Sequence, residues 1–124
     1  MNPEISAMDK EKGVIYILTN PAFPSYVKIG YADNIKTRLT KLNSSECTPY
    51  AFRLYATYGV DKRLSDTKLH KIIDTLNPGL RTVDHFDGKK RVREFYALSA
   101  QDAYGLLKAM AEIHGTSKQL KRKR

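Results

Sequence analysis

Apolar residues along this chain fall in short runs broken by prolines, glycines and charges. "GVIYILT" (13–19) and "YVKIGY" (26–31) are β-branched and aromatic-rich, and "NPAFPS" between them carries two prolines, so the stretch predicts a β-hairpin with a medium-length loop. "DNIKTRLTKLN" (33–43) opens on Asp33, an N-cap candidate, and repeats apolar residues at Ile35, Leu39 and Leu42, the spacing of a helix. In "PYAFRLYATYGV", Phe52, Leu54, Ala56 and Tyr58 alternate with Arg53, Tyr55 and Thr57, which predicts a third strand with one drier face. From about residue 61 to 76, Leu69, Ile72, Ile73 and Leu76 form a second helical stripe, stopped by "NPG". Residues 79–92 are basic and polar and predict an exposed loop or ribbon. "REFYALS" reads as a fourth strand, and Ala100 to His114 as a third helix with a stripe of Tyr104, Leu107, Met110 and Ala111.

The order β-β-α-β-α-β-α predicts a small α/β (α+β) domain whose mixed, mainly antiparallel sheet is flanked by helices. At 124 residues the chain has room for one modest core. The expected organisation is a flexible N-terminus over 1–12, one domain over 13–115, and a basic disordered tail over 116–124.

A formal net charge of +9 makes polyanions the natural partners, because Lys and Arg displace counterions from phosphate backbones. Lys118, Lys121, Arg122, Lys123 and Arg124 carry five of those charges in the tail, so the body before it is only moderately basic. The single cysteine, Cys47, excludes an intramolecular disulfide framework and a cysteine-based zinc cluster, which fits a reduced, cytoplasmic setting. No apolar run approaches the roughly 18 residues needed to cross a bilayer, and residues 1–12 lack the apolar centre of a signal peptide.

Candidate chemistry lies where polar residues interrupt apolar patterns. Strand alternation places Ile15, Ile17, Val27 and Ile29 on one face of the hairpin, leaving Tyr16 and Lys28 together on the other. They are either a pair on a solvated sheet face or part of a site. Arg38 stands at the edge of its helix stripe, one turn from Ile35 and Leu42; it is either a snorkelling side chain or a functional group at the core boundary. Asp66 and His70 are four apart on the second helix, where they can share a ligand or bond each other.

Taken in order, these residues resemble the GIY-YIG endonuclease superfamily, in particular the small phage and bacterial branch that writes the second motif "KIG". "GVIY" stands for GIY and "VKIG" for YIG; Arg38 follows Gly30 by eight residues, the spacing of that superfamily's helix arginine, with Lys36 two before it. "DTKLHKII" is similar to the branch's acid-x-x-Leu-His helix and "REFYALS" to its Arg-Glu-Phe-aromatic strand. The resemblance spans Gly13 to about Leu98. It implies metal-dependent hydrolysis of DNA phosphodiester bonds with a single Mg²⁺ or Mn²⁺. Tyr16 would be the general base, Lys28 a cation favouring its phenolate or contacting phosphate, and Arg38 the ligand of the scissile phosphate. Asp66 would hold the metal, at a position where the superfamily usually carries a glutamate about 1.5 Å longer. His70, Lys36 and Glu94 would support the site, although Glu94 could equally form a structural ion pair with Arg91 or Arg93.

A catalytic domain this small has little room for base readout, so specificity would come from a homodimer, a partner, or DNA contacts by Lys89, Lys90, Arg91 and Arg93. Two other readings remain open at this point: a DNA-binding module of the same fold with little or no catalysis, and an interaction domain whose charge resides mainly in its tail.

Overall fold

The computed structural model describes residues 12–61, 70, 71, 73–75 and 79–123. The hairpin lies at its centre: β1 (Lys12–Thr19) runs antiparallel to β2 (Val27–Ala32), with Tyr16 directly opposite Gly30. After helix α1 (Ile35–Asn43), β3 (Arg53–Asp61) pairs with the other edge of β1. β4 (Arg81–Phe86) and β5 (Lys89–Tyr96) form a ribbon that joins β2, and α2 (Ala100–Ile113) is followed by a 3₁₀ turn at Ser117–Gln119 and by β6 (Leu120–Arg122). The six strands lie in the order β4-β5-β2-β1-β3-β6, and every recorded pairing is antiparallel. This is the expected α+β class. No helix among the described residues is long and apolar enough to cross a membrane.

Both faces of the central strand are covered. Ile15 and Ile17 pack with Val27, Ile29, Tyr58, Tyr96 and Ile73 beneath Ala103, Leu107 and Ala111 of α2. On the opposite face Tyr16 and Leu18 pack with Ala32 and Phe52 beneath Ile35, Leu39 and Leu42 of α1. The Tyr16 side of the hairpin is therefore a second core, and Tyr16 is fully buried.

Four local expectations are corrected. α1 is capped by Asn34, whose Oδ1 accepts from the Thr37 amide at 3.1 Å, while Asp33 accepts instead from the Tyr31 hydroxyl. An amide oxygen serves the cap as well as a carboxylate does, so composition alone leaves the choice between adjacent Asp and Asn open. Strict alternation fails in β3, where a β-bulge pairs Ile17 with Ala56 but Leu18 with Leu54. The extra residue sends Ala56 and Tyr58 into one core and Phe52 and Leu54 into the other. The basic stretch from 79 is a true ribbon, so the last long strand begins at Lys89 rather than Arg93.

The fourth correction concerns the tail expected to be disordered. Leu120–Arg122 pairs with β3 at Ala56–Tyr58, Leu120 packs against the α2-side core, and the Arg122 guanidinium lies 4.8 Å from the centroid of the Tyr55 ring. The Tyr58 hydroxyl meets Thr116 Oγ1 at 2.5 Å and anchors the approach. Backbone groups on the free edge of β3 supply a partner that the charge of the tail does not reveal. Replacing Leu120 by Ala should lower stability by about 1–2 kcal/mol, because partly buried apolar surface is lost. A reduced urea midpoint checks this; an unchanged midpoint would mean that the tail contributes nothing.

Candidate active site

The missing side chain at Gly30 organises the site. A Cβ there would stand 2.5 Å from the Tyr16 hydroxyl and 2.5 Å from Glu94 Oε2, so the phenol and the carboxylate converge on space that only glycine leaves open. Tyr16 reaches it from the facing strand. Among the described residues β2 and β5 pair at Val27–Tyr96 and Lys28–Phe95, and Glu94, which reaches the same space, lies just past that pairing.

Two cations border the pair. The Lys28 ammonium lies 3.7 Å from Glu94 Oε2 and 5.3 Å from the centroid of the Phe95 ring. Arg38 projects from α1 beside the inward-facing Ile35 and Leu42, and its Nη1 donates to the Tyr16 hydroxyl at 3.5 Å. Its place at the edge of the apolar stripe thus carries the guanidinium to the sheet, whereas Lys36 is exposed on the outer side of α1 with Thr37, Thr40 and Lys41.

The second helical segment contributes His70, which is buried. Its ring stacks on Tyr96 with centroids 5.6 Å apart, Nδ1 makes a short hydrogen bond with the Tyr96 hydroxyl, and Nε2 lies 3.9 Å from Glu94 Oε2. Burial, reinforced by Asp74 and Glu94 and opposed by Arg81, pushes the Tyr96 phenol well above the usual tyrosine range. A phenol held protonated can share one proton with Nδ1, and the other ring nitrogen, Nε2, is turned toward Glu94. The Asp74–Arg81 ion pair, at 3.0 Å, ties the same helical segment to β4.

The structure therefore brings together Tyr16, Lys28, Arg38, His70 and Glu94. Asp66 lies outside the described residues, as do the side chains of Arg91 and Arg93. Lys89 and Lys90 are exposed at the far end of β5 from Glu94. Among the described residues no group of three or more His, Cys, Asp or Glu is placed to hold a metal ion. Glu94 nevertheless supplies one hard oxygen donor, and Mg²⁺ commonly takes one or two carboxylates and completes its shell with water and phosphate oxygens. Tyr96 is the participant that sequence reasoning missed. Its signal was a tyrosine hydroxyl in the fourth strand, two residues from Glu94, which requires a polar partner once the strand is buried.

Gly30→Ala should displace both the Tyr16 hydroxyl and Glu94, at a cost of about 1–3 kcal/mol read from the urea midpoint. Tyr96 also predicts a pH effect. Its phenol ionises near 10.0 in the unfolded chain but resists ionisation when buried, so the unfolded state loses a proton first and stability falls as pH rises above 10.0. Tyr96→Phe should make that alkaline fall shallower and, by removing the hydrogen bond to His70, cost about 1 kcal/mol near neutrality. Urea unfolding as a function of pH measures both effects.

No curated protein and no solved structure matches the chain. The model of the T5orf172 domain matches residues 13–111, from Gly13 near the start of β1 to the last buried turn of α2. The chain belongs to the T5orf172 domain family.

Proposed function

We propose that the protein is a DNA endonuclease that hydrolyses phosphodiester bonds with Tyr16 as general base. The observation that carries this reading is the convergence over Gly30: a phenol hydroxyl with a guanidinium 3.5 Å away and a carboxylate–ammonium pair alongside. The T5orf172 domain is associated with GIY-YIG- and HNH-like endonucleases of phage, which supports the same class of chemistry.

In this mechanism Tyr16 takes the proton of the attacking water. Burial disfavours the phenolate that this requires, and the Arg38 guanidinium offsets the penalty while remaining exposed enough to meet a phosphate. Arg38 and Lys28 neutralise the charge that develops on the phosphoryl oxygens. His70, fixed by Tyr96, places its Nε2 3.9 Å from Glu94 Oε2 and bounds the space that carboxylate occupies beside the reacting groups. A single Mg²⁺ or Mn²⁺, held by Asp66 with Glu94 as a further oxygen donor, would polarise the phosphate and stabilise the leaving oxygen.

A second reading, a DNA-binding module with little catalysis, is favoured by one observation. Glu94 is already engaged by Lys28 and faced by His70, an arrangement that also suits a purely structural ion pair. Incubation of supercoiled plasmid with the protein and Mg²⁺ or Mn²⁺ separates the two. Nicked or linear product is expected, reduced about 10²- to 10⁴-fold by Tyr16→Phe and about 10²- to 10³-fold by Arg38→Ala. Retarded DNA mobility without cleavage would establish the binding module instead, and cleavage unaffected by both substitutions would assign the activity to another site.

A further inference from the structure

Phe86 ends β4 at the tip of the β4–β5 ribbon and is 68% exposed, in a domain whose other phenylalanines are largely packed. The turn beyond it is tight. Asp87 and Gly88 take φ values of 54° and 72°, both left-handed, the pattern of a two-residue type I′ hairpin whose twist matches its strands. The ring therefore stands on the last paired residue before a tight turn.

Its neighbours decide what it can bind. Phe86 pairs across the ribbon with Lys89, so ring and ammonium rise from one face, while His85 and Lys90 pair and rise from the other. Between residues 81 and 93 the sequence has five Lys or Arg against Asp84 and Asp87, and the ribbon is net positive. An aromatic face beside an ammonium matches the two halves of a nucleotide: the base stacks on the ring and the phosphate meets the cation. In an intact duplex the base faces are hidden by stacking. A side chain approaching from outside finds a π-face only where a base is unpaired.

We propose that the β4–β5 tip is a binding site for an unpaired nucleobase of DNA, with Phe86 stacking on the base and Lys89, on the same face, contacting a flanking phosphate. The proposal rests on the DNA reading given above, and adds that the protein favours gaps, flaps and single-stranded ends over closed duplex.

Binding of oligonucleotides carrying 2-aminopurine, measured in EDTA so that no cleavage intervenes, tests it. The protein should quench an unpaired 2-aminopurine, and Phe86→Ala should weaken binding of that probe by about 5- to 150-fold, the range for loss of one stacked base, with a smaller loss on a fully paired duplex. Because the chain contains no tryptophan, Phe86→Trp gives a second readout: its emission should change when the single-stranded oligonucleotide binds. Equal affinity of wild type and Phe86→Ala, an equal loss on paired and unpaired probes, or a tryptophan signal blind to the oligonucleotide would each overturn the proposal. Failure of the endonuclease reading would appear separately, as absent plasmid cleavage with the quenching intact.

Discussion

The close approach over Gly30 is the constraint on which the site depends. Any side chain at that position would occupy the space into which the Tyr16 hydroxyl and Glu94 both reach, and the contact of Tyr16 with Arg38 presupposes the same vacancy. The glycine thus acts through steric absence in the middle of a strand, where glycine otherwise weakens a sheet. The covering of both faces follows from the same geometry. Tyr16 can be held at one place because Leu18, Ala32, Phe52 and α1 pack around it, so the second core orients the phenol.

Much of this was legible in sequence wherever a pattern is local. The hairpin, the stripe of α1 and the stripe of α2 emerged from periodicity, and Tyr16, Lys28 and Arg38 from motif spacing that the β1–β2 register converts into proximity. What was hidden depends on partners far along the chain. The bulge between Ile17 and Leu18 reassigns the faces of β3 through a cross-strand relation that no window within β3 contains. β6 exists because β3 offers it an edge, and a run of Lys and Arg conceals that. Tyr96 and His70 are 26 residues apart, and only the joining of β5 to β2 brings the phenol beneath the imidazole.

The site also divides its electrostatic work between layers. Arg38 brings positive charge to the phenol from a helix and Lys28 brings it to the carboxylate from a strand. His70 approaches from a third element, supported from below by Tyr96 and held in place along its helix by Asp74 and Arg81. Each charged group is oriented by packing or by a second polar contact, which keeps the geometry from depending on long side chains moving freely in water.

The strand order has a consequence for how such a domain can diversify. β1 and β2 occupy the middle of the sheet, and β4, β5, β3 and β6 extend it outward on either side. The Tyr16–Gly30 contact therefore lies where a change disturbs the most neighbours, while the ribbon tip and the outer side of α1 border solvent. New recognition properties can be built at that periphery by altering turn length or surface charge without moving the Tyr16–Gly30 contact. The architecture separates a densely packed centre from an editable rim.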